Sequence, residues 1–121
     1  MPGVLKVRPI DAFLSSDADF LGKADPYVKV TVGKQEAKTS VCKGAGKSPH
    51  WKEELAFNVT NEDLIRLEIW DDDTIKDDFL GKLKIPMKDV IGKGIIEQNF
   101  TLKSRILGSE IGTIHLRIEY H

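Results

Sequence analysis

The chain has little of what several protein classes require. It contains one cysteine among 121 residues, Cys42, so no internal disulfide can form, which is typical of proteins from a reducing compartment. No run of about 18 apolar residues occurs, as a membrane-spanning helix would need. The first residues lack the charged-then-apolar order of a secretion signal. We therefore expect a cytoplasmic protein.

Neither sign of charge is in excess, because 18 lysines and arginines face 19 aspartates and glutamates. This balance argues against nucleic acid as a partner, since nucleic-acid-binding domains usually carry a basic excess. Catalytic groupings are missing too: His50 and His115 stand alone, and no Ser/His/Asp or Cys/His arrangement can be assembled. A metal-dependent hydrolase would need a general base or nucleophile that the sequence does not offer. We expect no enzyme.

The chain is rich in short segments of alternating polarity. Residues 113–120, 64–70 and 26–32 alternate polar and apolar side chains, which is typical of half-buried strands. Weaker strand patterns cover residues 4–10, 36–42, 51–59, 79–86 and 95–102, and residues 87–91 are predicted to form one helical turn. Eight short strands predict an all-β protein, an eight-stranded antiparallel Greek-key β-sandwich that forms one domain over residues 1–121.

Carboxylates are crowded into two of the predicted loops. Residues 17–25 and 71–78 together hold eight aspartates and no glutamate: Asp17, Asp19, Asp25, Asp71, Asp72, Asp73, Asp77 and Asp78. Connecting loops of a sandwich gather at its ends, so the two stretches can meet at one of them. Carboxylates packed this tightly repel one another and need an offsetting positive charge.

A set of carboxylates without histidine or cysteine is typical of a site for a hard cation. Ca²⁺ takes about six to eight oxygen ligands in irregular geometry, whereas Mg²⁺ demands a near-ideal octahedron and Zn²⁺ prefers histidine or cysteine. The pattern therefore predicts Ca²⁺, and eight acids exceed the needs of one ion, so we expect two or more ions. For either stretch alone, a solvated acidic turn is the alternative, since aspartate is a common turn residue.

Three ordered motifs resemble the C2 domain family. Residues 19–30, DFLGKADPYVKV, are similar to the family's first calcium loop and the strand that follows it. Residues 48–57 resemble its Asn-Pro-x-Trp segment, although Ser48 and Lys52 replace two asparagines, and residues 71–81 resemble its third loop. The whole chain is similar to the small stand-alone C2 proteins that are common in plants.

The resemblance implies a role for each acidic position. The side-chain calcium ligands would be Asp19, Asp25, Asp71, Asp73 and Asp78, and the backbone carbonyl ligands would be those of Ala18 and Asp72. Asp77 is an alternative to Asp78, because the segment between Asp73 and Asp78 is shorter than in the protein kinase C domains.

The resemblance also implies a calcium-dependent phospholipid-binding module. Without metal, the acidic loops are repelled by an anionic cytoplasmic leaflet; bound Ca²⁺ reverses the local charge, and phosphatidylserine-like headgroups supply further oxygen ligands. Phe20, Leu21 and Ile75 are expected to dip into the membrane interface, although Leu21 could instead pack under its own loop. The protein would be recruited to the cytoplasmic face of membranes when calcium rises, as a sensor or as an adaptor for a protein partner.

Two further questions stay open in the sequence. Lys29 and Lys38 match phosphoinositide-binding positions of the family, but Thr31 and Glu36 replace neighbouring basic residues, and lysines on a sheet face are ordinary. The second-ranked function is a protein-interaction C2 domain in which calcium is structural or regulatory. The sequence also leaves open whether the chain ends lie beside the acidic loops or opposite to them.

Overall fold

Eight antiparallel strands and one short helix make up the chain in the computed structural model, which describes residues 2–15, 24–73, 75–105 and 108–121. The elements in chain order are β1 (Gly3–Leu14), β2 (Pro26–Val32), β3 (Gln35–Lys38), β4 (Leu55–Val59), β5 (Leu64–Asp71), β6 (Asp78–Pro86), α1 (Met87–Lys93), β7 (Ile95–Lys103) and β8 (Glu110–Tyr120). Three connections recur below: loop 1 is residues 15–25, loop 2 is residues 39–54 and loop 3 is residues 72–77.

The strands follow the order β3-β2-β5-β6-β7-β8-β1-β4. This order divides into two four-stranded halves, which are joined where β6 and β7 share, among the described residues, one register pair, Lys82 opposite Lys103. Strands distant in sequence lie side by side, such as β2 beside β5 and β1 beside β8, as Greek-key connections require. The predicted eight-stranded antiparallel β-sandwich is confirmed.

The two edge strands of this order, β3 and β4, are joined by hydrogen bonds between a side chain and the backbone. The Gln35 side chain donates from Nε2 to the Asn58 carbonyl at 2.5 Å, and its Oε1 accepts from the Asn58 N–H at 2.9 Å. One side chain thus pairs with both backbone groups of a residue that would otherwise face solvent on a strand edge. The sandwich is nearly closed as a result.

The core lies between the two halves, and its side chains are the alternate apolar residues of the strands, as the sequence pattern predicts. In β5, Ile65, Leu67 and Ile69 are buried while Arg66 is exposed. Trp51 is buried, and its indole N–H donates to the carbonyl of Pro26 at the start of β2, at 3.1 Å.

Several strand ends differ from the prediction. β1 runs on to Leu14 rather than ending at residue 10, and its pairing with β8 is irregular between Pro9 and Asp11. β3 ends at residue 38, and the Thr39 hydroxyl after it accepts from the Val28 N–H at 3.0 Å. β4 begins at residue 55, and the intervening loop 2 contains two glycines with positive φ, Gly44 at 66° and Gly46 at 58°. The helix is longer than one turn and spans seven residues.

The chain ends and the aspartate-rich loops lie at opposite poles. The Val4 and His121 backbones exchange two hydrogen bonds of 3.0 Å, and Gly3 lies opposite Val59. β1 runs from this pole to Leu14, where loop 1 begins, and β2 returns from the other pole with Pro26 opposite Asp71. We call the pole of loops 1 and 3 the loop end. The β7–β8 connection is residues 104–109, and its described residues, 104–105 and 108–109, lie at this pole too.

Candidate metal site

Two backbone-anchored hydrogen bonds hold the end of loop 1 against the start of loop 3. The Asp25 N–H donates to Asp71 Oδ1 at 2.9 Å, and the Asp72 N–H donates to the Asp25 carbonyl at 3.0 Å. The β2–β5 ladder continues directly below them, with Pro26 opposite Asp71. The sheet register therefore brings Asp25, the last residue of the first acidic stretch, against Asp71, the first residue of the second.

Asp71 is the centre of the acidic group. It is half-buried at the end of β5 and lies opposite Asp78, the first residue of β6. Burial raises the pKa of the Asp71 carboxyl, the Asp25 N–H opposes that rise, and the carboxylates of Asp25, Asp78 and Asp73 raise it further. A half-buried carboxylate that neighbouring carboxylates repel would be stabilised by a cation bound beside it.

Asp77 and Asp78 have different surroundings. The Tyr27 hydroxyl donates to Asp77 Oδ2 at 2.5 Å, and the Asp73 N–H donates to Asp77 Oδ1 at 3.2 Å. These bonds lower the pKa of Asp77, and burial together with the same Asp77 bond raises the pKa of Tyr27. Both oxygens of Asp77 thus already hold partners, whereas Asp78 is the residue that faces Asp71.

Loop 2 also lies against this group, which the sequence analysis missed. The Gly44 N–H donates to Asp25 Oδ1 at 2.6 Å, and the Gly46 N–H donates to the Ala24 carbonyl at 3.0 Å. A Gly-Ala-Gly segment between Lys43 and Lys47 was the available signal, since closely spaced glycines permit such turns.

Some predicted site residues cannot be placed. Ala18, Asp19, Phe20 and Leu21 lie outside the described residues. Within the described ranges, no group of three or more His, Cys, Asp or Glu side chains is gathered closely enough to hold a metal ion. The donor chemistry nevertheless fits Ca²⁺, because the acidic group offers carboxylate oxygens rather than the nitrogen and sulfur that Zn²⁺ prefers.

The two predicted lipid-contacting features in the described residues differ in accessibility. Ile75, in loop 3, is 95% exposed. Lys29 lies opposite Lys38 across β2 and β3, but its ammonium is 3.9 Å from Glu36 and 3.6 Å from Glu68. Its charge is therefore already shared between two carboxylates.

An aromatic stack flanks loop 3 and was also missed. Trp70 and Phe79 meet edge to face with ring centroids 5.5 Å apart, and the Arg105 guanidinium lies 4.2 Å from the Phe79 centroid and 5.2 Å from that of Trp70. Arg105 comes from the β7–β8 connection, so no local pattern links it to loop 3. These contacts join residues of β5, β6 and the β7–β8 connection at the loop end.

Among the described residues, no helix has the length and apolar character that crossing a bilayer would require.

Fold and loop chemistry together define a β-sandwich module that presents an acidic group at one pole. The sequence profile of the C2 domain family matches residues 3–102, and the chain belongs to this family. It is 40% identical to Elicitor-responsive protein 1 of Oryza sativa over 77% of its own length and 64% of that protein. It is 35% identical to Extended synaptotagmin-3 of Mus musculus over 98% of this chain and 13% of that protein. The chain thus spans less than two thirds of either relative.

Solved structures give the same result. A C2 domain-containing protein from an elicitor-responsive gene superposes with a TM-score of 0.85 at 30% identity, covering 99% of this chain and 89% of the other. A calcium-bound structure of two C2 domains of Extended-Synaptotagmin 2 gives a TM-score of 0.80 at 33% identity, covering 98% of this chain and 45% of the other. At the family level, the chain is a module of a calcium- and lipid-binding class.

Proposed function

We propose that residues 1–121 act as one C2 domain that docks reversibly on anionic phospholipid membranes when calcium rises, without catalytic activity of its own. The observation that carries this proposal is the juxtaposition of aspartates from separate loops: the Asp25 N–H donates to Asp71 Oδ1 at 2.9 Å, and Asp78 lies opposite Asp71. The membrane is the cytoplasmic face, and the domain acts there as a sensor or as an adaptor for a protein partner.

The residues that would hold the metal follow from this group. They are Asp25, Asp71, Asp73 and Asp78 through carboxylates and Asp72 through its carbonyl, joined by Asp19 and the Ala18 carbonyl from loop 1. Asp78 is preferred to Asp77, because both Asp77 oxygens accept hydrogen bonds. Bound Ca²⁺, as two or more ions, would supply positive charge and open coordination positions for phosphate and carboxylate oxygens of phosphatidylserine-like lipids.

The chain's own contribution is preorganisation. The bonds between Asp25 and Asp71, and between Gly44 and Asp25, hold these carboxylates near one another at the cost of mutual repulsion. The surrounding strands are antiparallel and buried on one face, so a change of charge at the loop end need not rearrange the sandwich. The switch is therefore electrostatic.

The experiment is vesicle sedimentation with and without calcium. Vesicles of phosphatidylcholine and phosphatidylserine should pellet the protein in Ca²⁺ but not in EGTA, and pure phosphatidylcholine vesicles should not pellet it in either. Asp71→Asn should abolish pelleting, whereas Asp63→Asn, an exposed position at the opposite pole, should not change it. Calcium-dependent stabilisation without pelleting would refute membrane docking and favour the protein-interaction function instead.

Ile75 provides a separate test of membrane insertion. Its exposed side chain would gain about 1.5–3 kcal/mol on full burial, and Ala retains only part of that apolar area. Ile75→Ala should therefore weaken vesicle binding several-fold while leaving calcium affinity in solution unchanged. The matched control is Ile91→Ala in α1, at the opposite pole. Equal vesicle binding by both variants would exclude insertion at Ile75; Phe20 and Leu21 are proposed to insert beside it.

A further inference from the structure

The nearly closed sandwich has one open side. Between β3 and β4, the Gln35 side chain pairs with the Asn58 backbone. Between β6 and β7, Lys82 lies opposite Lys103, and no second register pair joins these strands among the described residues. From this pair toward α1, the facing edges of β6 and β7 are therefore left without a ladder. We call the space between the two strands the seam.

β7 directs a row of backbone groups into the seam. The Tyr120 N–H donates to the Gly94 carbonyl at 2.8 Å, and the β7–β8 ladder continues from that pair. Because hydrogen-bonded and non-hydrogen-bonded pairs alternate in an antiparallel ladder, every second residue of β7 points its N–H and C=O groups away from β8. These residues, all exposed, are Ile95, Glu97, Asn99 and Thr101. Over the ranges that the structure describes, their main chains have no register partner on β6 and no hydrogen bond to a loop, so this edge is open to another strand.

Two cavities lie along this edge. One of about 430 Å³, beside the loop end, is lined by Lys82, Leu83, Lys84, Thr101, Lys103 and Gly108. The other, of about 330 Å³ beside α1, is lined by Ile85, Asp89, Lys93, Ile96, Gln98 and Phe100. Together they include residues of β7 from 96 to 103, so unfilled space borders the strand where a paired neighbour would otherwise lie.

The charge on the β6 side of the seam restricts what can pair there. Lys82 and Lys84 have no carboxylate within ion-pair distance among the side chains that the structure describes, and Lys103 has Glu110 at 3.6 Å. Lysines beside an open edge discourage pairing with other strands. A second copy of this chain would add lysines of its own, whereas carboxylates on an added strand would be attracted, because opposite charges on neighbouring strands stabilise the pair.

A strand added to β7 would present its side chains to two environments. Paired residues of neighbouring strands lie on the same face, and successive residues alternate between faces. Lys103 shares a face with Thr101, and the register pair places Lys82 on that face too. The other face of β7 carries Ile96 and Phe100, which line the cavity beside α1. A strand that matches both faces therefore alternates acidic and apolar residues.

We propose that the open edge of β7 binds an extended segment of a partner protein by strand addition, and that this segment alternates acidic and apolar residues. Hydrogen bonds to the main chains of the four exposed residues would supply affinity, and the lysines would select the charge. Glu97, the acidic member of that row, does not oppose such a partner, because it already pairs with His115 and Arg117. The site shares no residue with the acidic group, so it goes beyond the calcium-dependent docking proposed above and does not rest on it.

The first measurement needs neither a ligand nor a variant. In native-state hydrogen exchange followed by NMR, the amides of Glu97, Asn99 and Thr101 should exchange about tenfold or more faster than those of Gln98 and Phe100, which point toward β8. Similar protection of both sets would show that the edge is already covered and would overturn the proposal.

The second test supplies a strand. The probe is a synthetic peptide of nine residues, the length of β7, that alternates glutamate and valine. In EGTA it should bind the wild-type chain and protect the amides of Glu97, Asn99 and Thr101 from exchange. Its fully N-methylated form should not bind, since it lacks the donors that a ladder needs. No binding up to about 1 mM, or protection confined to other strands, refutes the site.

The third test exchanges the charge. A lysine–valine peptide should bind the wild-type chain about tenfold or more weakly than the glutamate–valine peptide, and the double variant Lys82→Glu, Lys84→Glu should reverse that order. Lys34→Glu, Lys47→Glu makes the same change at exposed positions that line neither cavity and should keep the wild-type order. An order that is unchanged in the first variant, or reversed in both, overturns the proposal.

The oligomeric state decides between a partner and a second copy. Concentration-dependent dimerisation in analytical ultracentrifugation, with protection of the same three amides, would assign the edge to a second copy of this chain and refute a separate partner. Asp71→Asn should lose calcium-dependent vesicle binding and bind the glutamate–valine peptide as the wild type does, so the two proposals fail separately.

Discussion

Replacing Asp71 by asparagine should change stability in opposite directions with and without calcium. Asparagine keeps the Oδ1 acceptor for the Asp25 N–H and removes the charge that Asp25, Asp73 and Asp78 repel. Like charges directly opposite across a strand pair destabilise by about 0.2–1 kcal/mol, and Asp78 lies opposite Asp71. In EGTA, the variant should therefore be more stable than the wild type by about 0.2–1 kcal/mol.

With calcium, the order should reverse. A ligand at a hundredfold excess over its dissociation constant stabilises the state that binds it by about 2.7 kcal/mol, and the variant should lose most of that gain. Urea unfolding in EGTA and in saturating Ca²⁺ measures both effects, and Asp63→Asn should behave as the wild type in each. The reasoning is refuted if Asp71→Asn is less stable than the wild type in EGTA, or if it keeps the full calcium-dependent gain.

Three further predictions concern the sandwich. Gln35→Ala removes both hydrogen bonds to the Asn58 backbone. Because both bonds are solvent-exposed, the loss should lower the free energy of unfolding by only about 1 kcal/mol. A shift in the urea midpoint no larger than that of the control variant Gln98→Ala would contradict this prediction. Hydrogen bonds from His115 and Arg117 lower the pKa of the Glu97 carboxyl below its ordinary value of 4.5. The ionised carboxylate therefore stabilises the fold above pH 4.5, and this contribution is lost as the pH falls through the lowered pKa. Glu97→Gln should lower the free energy of unfolding at pH 7, and urea titrations in acid should show no difference between the variant and the wild type. Gly112 has φ +153°, and a Cβ there would clash with the Phe13 carbonyl oxygen of β1, so Gly112→Ala should cost about 1–3 kcal/mol in thermal unfolding; an unchanged melting temperature would refute this.

Strand content was predictable where a strict two-residue period held. β5 and β8 bury every second residue, and their positions follow from the sequence. In β1, Val7 and Pro9 are buried but so are Ala12 and Leu14, because the irregular pairing between Pro9 and Asp11 shifts the pattern by one residue. The strand prediction relied on unbroken alternation and therefore ended at residue 10, at this shift, whereas β1 continues to Leu14.

The candidate site was predictable only in its side-chain chemistry. Crowded aspartates are visible in the sequence, and so are the strands that bring Asp25 beside Asp71. The Gly44 N–H that supports Asp25 is a backbone donor, so the glycines at positions 44 and 46 indicate a turn but not the carboxylate that the turn contacts. Lys82 and Lys103 form, among the described residues, the one register pair between β6 and β7, and no local pattern encodes that pairing.

The placement of the two chain ends has a consequence for larger assemblies. Both lie at one pole, held together by the bonds between Val4 and His121, and the acidic group lies at the other. Any polypeptide attached before or after this sandwich would leave from the far side, and a fluorescent or affinity tag at either terminus would stay clear of the proposed docking surface. Within a multidomain protein, such a domain would present its loop end away from the domains attached at its termini.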